Sequence, residues 1–153
     1  MINSATILVA DDSIDDVDLL KRAIKKAGLS NPVCFLSDGD QVIEYLQRER
    51  NSASSSSQIP LLMFLDLNMP RRTGFAVLQW LRQQPQFQNL PTIVFTNSDD
   101  RMDIERSFEL GAQGYWVKPA RFEHLVQLME RLRDMLLHAA QKAGEDFLLP
   151  VAA

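Results

Sequence analysis

The chain has 153 residues, 46% of them hydrophobic and 24% charged, a size and composition that suit one soluble domain with one core. A formal net charge of −4 argues against general affinity for nucleic acid or anionic lipid. No apolar run approaches the ~20 residues of a membrane span, and no basic-then-apolar leader opens the chain, so we expect a cytoplasmic location without membrane or nucleic-acid partners.

Thr6–Ala10 is a short apolar run that predicts the first strand. Ile14–Ala27 follows with helical period, and Val17, Leu20, Ile24 and Ala27 form one core-facing stripe. Ser13 can cap that helix and Gly28 can close it. Val33–Leu36 predicts the second strand; Cys34 within it reads as a small buried hydrophobe, and a single cysteine permits neither an intramolecular disulfide nor a thiolate metal cluster. Asp38-Gly39 reads as a stop signal, and Asp40–Arg50 as the next helix. The stretch Asn51–Gln58, with Ser52, Ser54, Ser55, Ser56 and Ser57, reads as a surface loop, a phosphosite role being the weaker alternative. Leu61–Leu65, Thr92–Thr96 and Tyr115–Val117 predict three more strands. The intervening helices are Gly74–Gln83 and Arg101–Leu110, the second stopped by Gly111, and Phe122–Gln141 closes the series. Residues 143–153 are too few for an appended domain, yet Phe147, Leu148, Leu149, Pro150 and Val151 are too apolar for a solvated end, so this extension should dock.

Five βα units predict an open parallel sheet with helices on both faces, because parallel crossovers are right-handed and helical. An eight-stranded barrel would need roughly 200 residues or more. In an open doubly wound sheet, ligands bind beyond the carboxyl ends of the strands. The residues there are Asp11 and Asp12 after the first strand, Asp66 after the third, Thr96 at the end of the fourth and Lys118 after the fifth. Singly, each has a plainer reading: a helix N-terminal charge pair, a loop acid, a turn hydroxyl, a solvated lysine. Together, at the sheet's carboxyl edge, they predict one crevice.

Two carboxylates about 5 Å apart repel by about 3 kcal/mol at an effective dielectric near 20. Three would raise one another's pKa values unless a cation intervened. Hard oxygen donors in small number suit Mg²⁺, which retains waters and accepts phosphate oxygens. Lys118 adds a point charge and Thr96 a donor, so the set is suited to stabilising a phosphoryl group in transfer. An ionised aspartate can itself be the nucleophile. Asp66 is the best candidate, since it ends the strand expected at the centre of the sheet.

The sequence resembles the receiver domains of two-component response regulators. The matching segments are Val9-Ala10-Asp11-Asp12-Ser13, Leu65-Asp66-Leu67-Asn68-Met69-Pro70 followed by Gly74, Val94-Phe95-Thr96, and Gly114-Tyr115-Trp116-Val117-Lys118-Pro119. The resemblance implies a flavodoxin-like (βα)5 fold with strand order 2-1-3-4-5. It also implies a receiver over residues 1–142 and no separate output domain in residues 143–153. Asp66 would accept a phosphoryl group from a sensor histidine kinase, in a phosphorelay leading to a downstream phosphotransfer or target protein. Asp11, Asp12, Asp66 and the backbone carbonyl of Asn68 would hold Mg²⁺, and Thr96 and Lys118 would contact the phosphoryl oxygens. Tyr115 would be a switch aromatic that turns inward as Thr96 moves, and the Lys118–Pro119 peptide would be cis. Within the family, Asn68 to Arg72 and the long loop after the second helix are similar to the small receivers of cyanobacterial phytochrome kinases.

Two departures stand out: Asn97 is bulkier than the residue usual after the threonine, and Arg71 and Arg72 replace an apolar residue, pointing to electrostatic partner contacts. The thin stripe of the fourth helix, Ile104 and Phe108, predicts loose attachment. Phe122, Leu125, Val126, Met129, Leu132 and Leu136 form the core stripe of the last helix. Leu128, Met135 and Leu137 fall outside it and, with the apolar extension, point to a homodimer, intramolecular cover being the alternative. A haloacid-dehalogenase-type phosphatase would also use a strand-end aspartate, but it needs a second acid two residues on, where this chain has Asn68. Substrate turnover is therefore disfavoured, and the expected protein is a phosphoacceptor switch that catalyses its own phosphoryl transfer and dephosphorylation rather than an enzyme acting on a separate substrate. A phosphorylation-dead binding module is the second alternative.

Overall fold

Alternate residues of each strand point to opposite faces, and nearly all of these strand residues are apolar, so both faces of the sheet need cover. The computed structural model describes residues 5–51 and 59–141 and supplies that cover. Strands β1 (Ile7–Ala10), β2 (Val33–Leu36), β3 (Leu62–Leu65), β4 (Thr92–Thr96) and β5 (Gly114–Val117) alternate with helices α1 (Ile14–Ala27), α2 (Gly39–Asn51), α3 (Gly74–Arg82), α4 (Arg101–Glu109) and α5 (Phe122–Gln141). All strand pairs are parallel, in the order β2-β1-β3-β4-β5, with β3 central as expected. No helix among the described residues is long and apolar enough to cross a membrane.

Ile7 and Val9 of β1, Phe64 of β3, Phe95 of β4 and Trp116 of β5 face one layer, closed by Leu20 and Ala23 of α1 and by Met129, Leu132 and Leu136 of α5. Phe64 lies 5.7 Å from Phe95 and 5.4 Å from Trp116, ring centroid to centroid. Leu8, Met63, Leu65, Val94 and Tyr115 face the other layer, closed mainly by Val42 and Leu46 of α2 and by Val77, Leu78 and Leu81 of α3. The two helix-covered faces read from sequence are thus both present.

The ends of α1 follow the sequence signals: the Ser13 hydroxyl accepts from the Asp16 amide, and Gly28 closes the helix at φ 73°. Asp38-Gly39 behaves differently from expectation. It starts α2 rather than stopping a segment, with Asp38 Oδ1 accepting from the Gln41 amide at 2.8 Å. Gly39 is needed there because a Cβ would collide with the Arg72 carbonyl. Arg71 and Arg72 pair with Asp38 (3.8 Å) and Asp40 (2.8 Å), so their charges tie the loop after β3 to the start of α2 in the same molecule.

Leu128 corrects the reading of the last helix. It is buried in the α1–α5 layer, because α5 lies over edge strand β5 and its flank as well as its centre meets the core. Met135 is partly buried and Leu137 is exposed. Ser107 is the one fully buried residue of α4, while Met102 and Phe108 are exposed, in keeping with a loosely attached helix. The serine run at 52–58 and the extension at 143–153 lie outside the described residues.

Candidate functional site

Three backbone bonds at the carboxyl edge place the chemistry. The Asp11 amide donates to the Leu36 carbonyl and the Asp66 amide to the Ala10 carbonyl, both at 2.9 Å; the Lys118 amide donates to the Thr96 carbonyl at 2.7 Å. Each functional residue therefore stands one step beyond its strand with its main chain still tied to the neighbouring one. Gly74 opens α3 so close to this edge that a Cβ there would meet the Asp66 carbonyl. No larger residue fits without moving the strand end.

Asp11, Asp12 and Asp66 each offer a carboxylate oxygen, and the three oxygens lie within 4.8 Å of one another. Asp11 and Asp66 are buried while Asp12 is exposed, so the cluster opens toward solvent on the Asp12 side. The Asp66 carboxylate accepts from the Asn68 amide at 3.3 Å, and that of Asp11 from the Ser13 amide at 2.9 Å. Lys118 reaches in from β5, its Nζ 2.7 Å from Asp11, 3.0 Å from Asp66 and 2.8 Å from Asp16. Thr96 ends β4; its side chain is fully buried, and its hydroxyl has no hydrogen-bond partner among the described residues.

Burial alone would strip the Lys118 ammonium of its proton more easily, but the bonds to Asp11 and Asp16 and the charge of Asp66 outweigh it, and its pKa lies above the ordinary lysine value. Asp11 moves the other way from a usual paired acid. Burial raises its pKa by more than Lys118 and the Ser13 amide lower it, and the Asp66 charge adds to the rise. Lys118 thus does not offset the cost of burying the Asp11 carboxylate. The donor set is all hard oxygen, incompletely neutralised and open on one side, which fits a divalent cation.

Of the residues named from sequence, Asp11, Asp12, Asp66 and Lys118 lie together, and one participant was missed. Asp16, in the first turn of α1, looks like an ordinary helix N-terminal acid, and only the fold brings it to Lys118, 102 positions along the chain. Two expectations change. The described chain contains no cis peptide, so Lys118–Pro119 is trans, the isomer that X–Pro bonds favour by about 0.5–1 kcal/mol, and Lys118 reaches all three carboxylates in that form. Tyr115 is already buried, which raises its pKa, and its hydroxyl donates to the Ser98 carbonyl at 2.7 Å. Asn97 is exposed beside Thr96.

The chain matches the response regulator receiver domain family over residues 7–130. It is similar to the response regulator Rcp1 of Synechocystis, 28% identical over 86% of this chain and 88% of that one. The crystal structure of the Mn²⁺-bound form of Rcp1 superposes with a TM-score of 0.72 at 25% identity, covering 95% of this chain and 99% of that one. The phosphorylated cyanobacterial phytochrome response regulator RcpA gives a TM-score of 0.76 at 25% identity, over 88% and 94% of the two chains. RPA3017, a response regulator in red light signaling of R. palustris, gives 0.75 at 32% identity, over 84% and 90%.

Proposed function

From the premise that the chain belongs to the response regulator receiver domain family, we propose that it is a phosphorylation switch whose acceptor is Asp66. The observation that carries this reading is the set of neighbours around the Asp66 carboxylate: Lys118 Nζ at 3.0 Å and two further carboxylates within 4.8 Å, with a buried, unpartnered Thr96 hydroxyl at the end of the adjacent strand β4. An aspartate so placed is a nucleophile with its charge-neutralising groups already positioned.

In the proposed step an Asp66 carboxylate oxygen attacks the phosphorus of a phosphohistidine on a sensor histidine kinase. The O–P bond forms as the P–N bond breaks, and the electron pair of the broken bond returns to the imidazole nitrogen. Lys118 and Thr96 then donate to phosphoryl oxygens, and the Thr96 hydroxyl gains the partner it lacks. Mg²⁺, held by Asp11, Asp12, Asp66 and the Asn68 backbone carbonyl, supplies charge neutralisation at those oxygens when bound. Because the aspartyl phosphate is the signal, the protein is itself the product, and its loss to water resets the switch. Tyr115 already occupies the inward position, so phosphorylation holds that rotamer through Thr96 rather than creating it.

The likeness to RcpA, a phytochrome response regulator by description, and to RPA3017 in red light signaling supports a phytochrome kinase as the donor and a cytoplasmic phosphorelay as the setting. Pairing of two copies through α5 is supported among the described residues by exposed Leu137 and partly buried Met135. A monomer by light scattering at high concentration would exclude it.

Intact mass after incubation with a small phosphodonor, with and without Mg²⁺, tests the central claim beside Asp66→Ala. One added phosphoryl group that needs both Mg²⁺ and Asp66 is the expected result. Phosphorylation that persists in Asp66→Ala would move the acceptor elsewhere. No gain from the small donor or from a purified histidine kinase would leave a binding module.

A further inference from the structure

An ammonium has three N–H donors, and in the resting site all three directions of Lys118 are taken by carboxylates: Asp11 at 2.7 Å, Asp16 at 2.8 Å and Asp66 at 3.0 Å. Any phosphoryl oxygen that comes to Lys118 must displace one of them. Asp11 and Asp66 are poor candidates, being almost wholly buried and belonging to the three-carboxylate cluster. Asp16 stands outside that cluster with 32% of its side chain exposed, so water can take over its carboxylate at little cost.

Its placement is also built into the chain. The Ser13 hydroxyl that caps α1 accepts from the Asp16 amide, which fixes this residue at the first turn with its side chain toward the carboxyl edge. Neighbouring Asp15 and Asp18 lie in the same turns of α1 and are exposed.

Building on the acceptor role of Asp66, we propose that Asp16 is a positioning residue that acts through Lys118: a displaceable third anchor that holds the ammonium in the unphosphorylated site and yields it to the phosphoryl group. Two consequences share one sign. Removing the Asp16 charge frees an N–H of Lys118 for a phosphoryl oxygen, and it removes a negative charge from beside a group carrying roughly −1.5 to −2. Asp16 therefore lowers the affinity of the site for phosphate and shortens the life of the phosphorylated state.

The test compares wild type, Asp16→Asn and Asp16→Glu for binding of beryllofluoride, a phosphoryl mimic, at saturating Mg²⁺. A charge-assisted bond discounted for partial exposure corresponds to about a tenfold tighter Kd in Asp16→Asn, with slower loss of the phosphoryl group. Asp16→Glu restores the charge and moves the affinity back toward wild type. A second readout needs no phosphoryl mimic: the ¹⁵N–¹H ammonium signal of Lys118 in the resting protein should be slowly exchanging in wild type and broadened in Asp16→Asn. Equal or weaker beryllofluoride binding by Asp16→Asn, with wild type binding normally, overturns the proposal and leaves the acceptor role of Asp66 standing. No binding by wild type would instead overturn the acceptor role, and this proposal with it.

Discussion

The apolar layer under α5 and the carboxyl edge of the sheet are both buried, yet burial acts in opposite directions in the two. Met129 and Leu132 are fully enclosed by side chains of their own kind, and each CH₂ removed from water there stabilises the fold by about 0.8 kcal/mol. Thr96 is as fully enclosed, but its hydroxyl has given up water without gaining a partner among the described residues. Asp11 has lost solvent and gained the Ser13 amide and one ammonium shared with two other acids. The sheet is thus held together by its faces, while its edge is held in place by them at a cost. Such a cost is expected where groups wait for a ligand that is to satisfy them.

The largest effect should come from the layer. Met129→Ala leaves a cavity between α5 and the sheet and should destabilise the protein by about 2–5 kcal/mol, read from urea unfolding. Phe108→Ala on α4 makes a control of similar chemistry on a helix with one buried residue, and should cost less than about 1 kcal/mol. Equal losses at the two positions would break the contrast between a fixed and a loosely attached helix on the two sides of β5.

A smaller effect, of opposite sign, should come from the edge. Thr96→Val keeps the shape of the side chain and removes the unpartnered hydroxyl, so it should stabilise the resting protein by about 1–2 kcal/mol. The same change should weaken beryllofluoride binding. A destabilised Thr96→Val would mean that the hydroxyl is satisfied in solution and that the edge carries no such cost.

The difference between the two regions also explains what could be read from sequence. Faces are written locally: unbroken apolar runs such as Ile7–Ala10 or Leu62–Leu65 declare two buried layers, and the topology follows from four helical crossovers. The edge residues Asp11, Asp12, Asp66, Thr96 and Lys118 were legible because one rule, chemistry beyond the strand ends, selects them without knowing any distance. Asp16 follows no strand and sits among Asp15 and Asp18 in α1; only the packing of α1 against the sheet singles it out. Leu128 was misjudged because a periodicity argument assigns one stripe per helix, whereas α5 covers both the sheet and its edge. Asp38-Gly39 was legible as a break in the chain, but a cap and a stop use the same residue types, and the direction depends on which amide the carboxylate meets.

The finest test of the contrast is the pH dependence of stability in the absence of divalent cations. Burial raises the Asp11 pKa in the folded protein above its ordinary 3.8, so the folded state binds this proton more tightly than the unfolded chain does. For a group shifted in this direction, the stability it contributes is fully present below 3.8 and is lost as pH rises through the folded-state value. At pH 7, well above 3.8, that contribution is reduced or lost, and Asp11→Asn should unfold at higher urea than wild type in EDTA. The gap should close as the pH falls through the folded-state value toward 3.8, as folded wild type takes up its proton. Saturating Mg²⁺ should reverse the order at pH 7, because a cation bound only by the folded wild type adds stability that the amide variant forgoes. An Asp11→Asn variant less stable than wild type in EDTA at pH 7 would mean that Lys118 more than offsets the burial of Asp11, and that the edge, like the faces, contributes to stability.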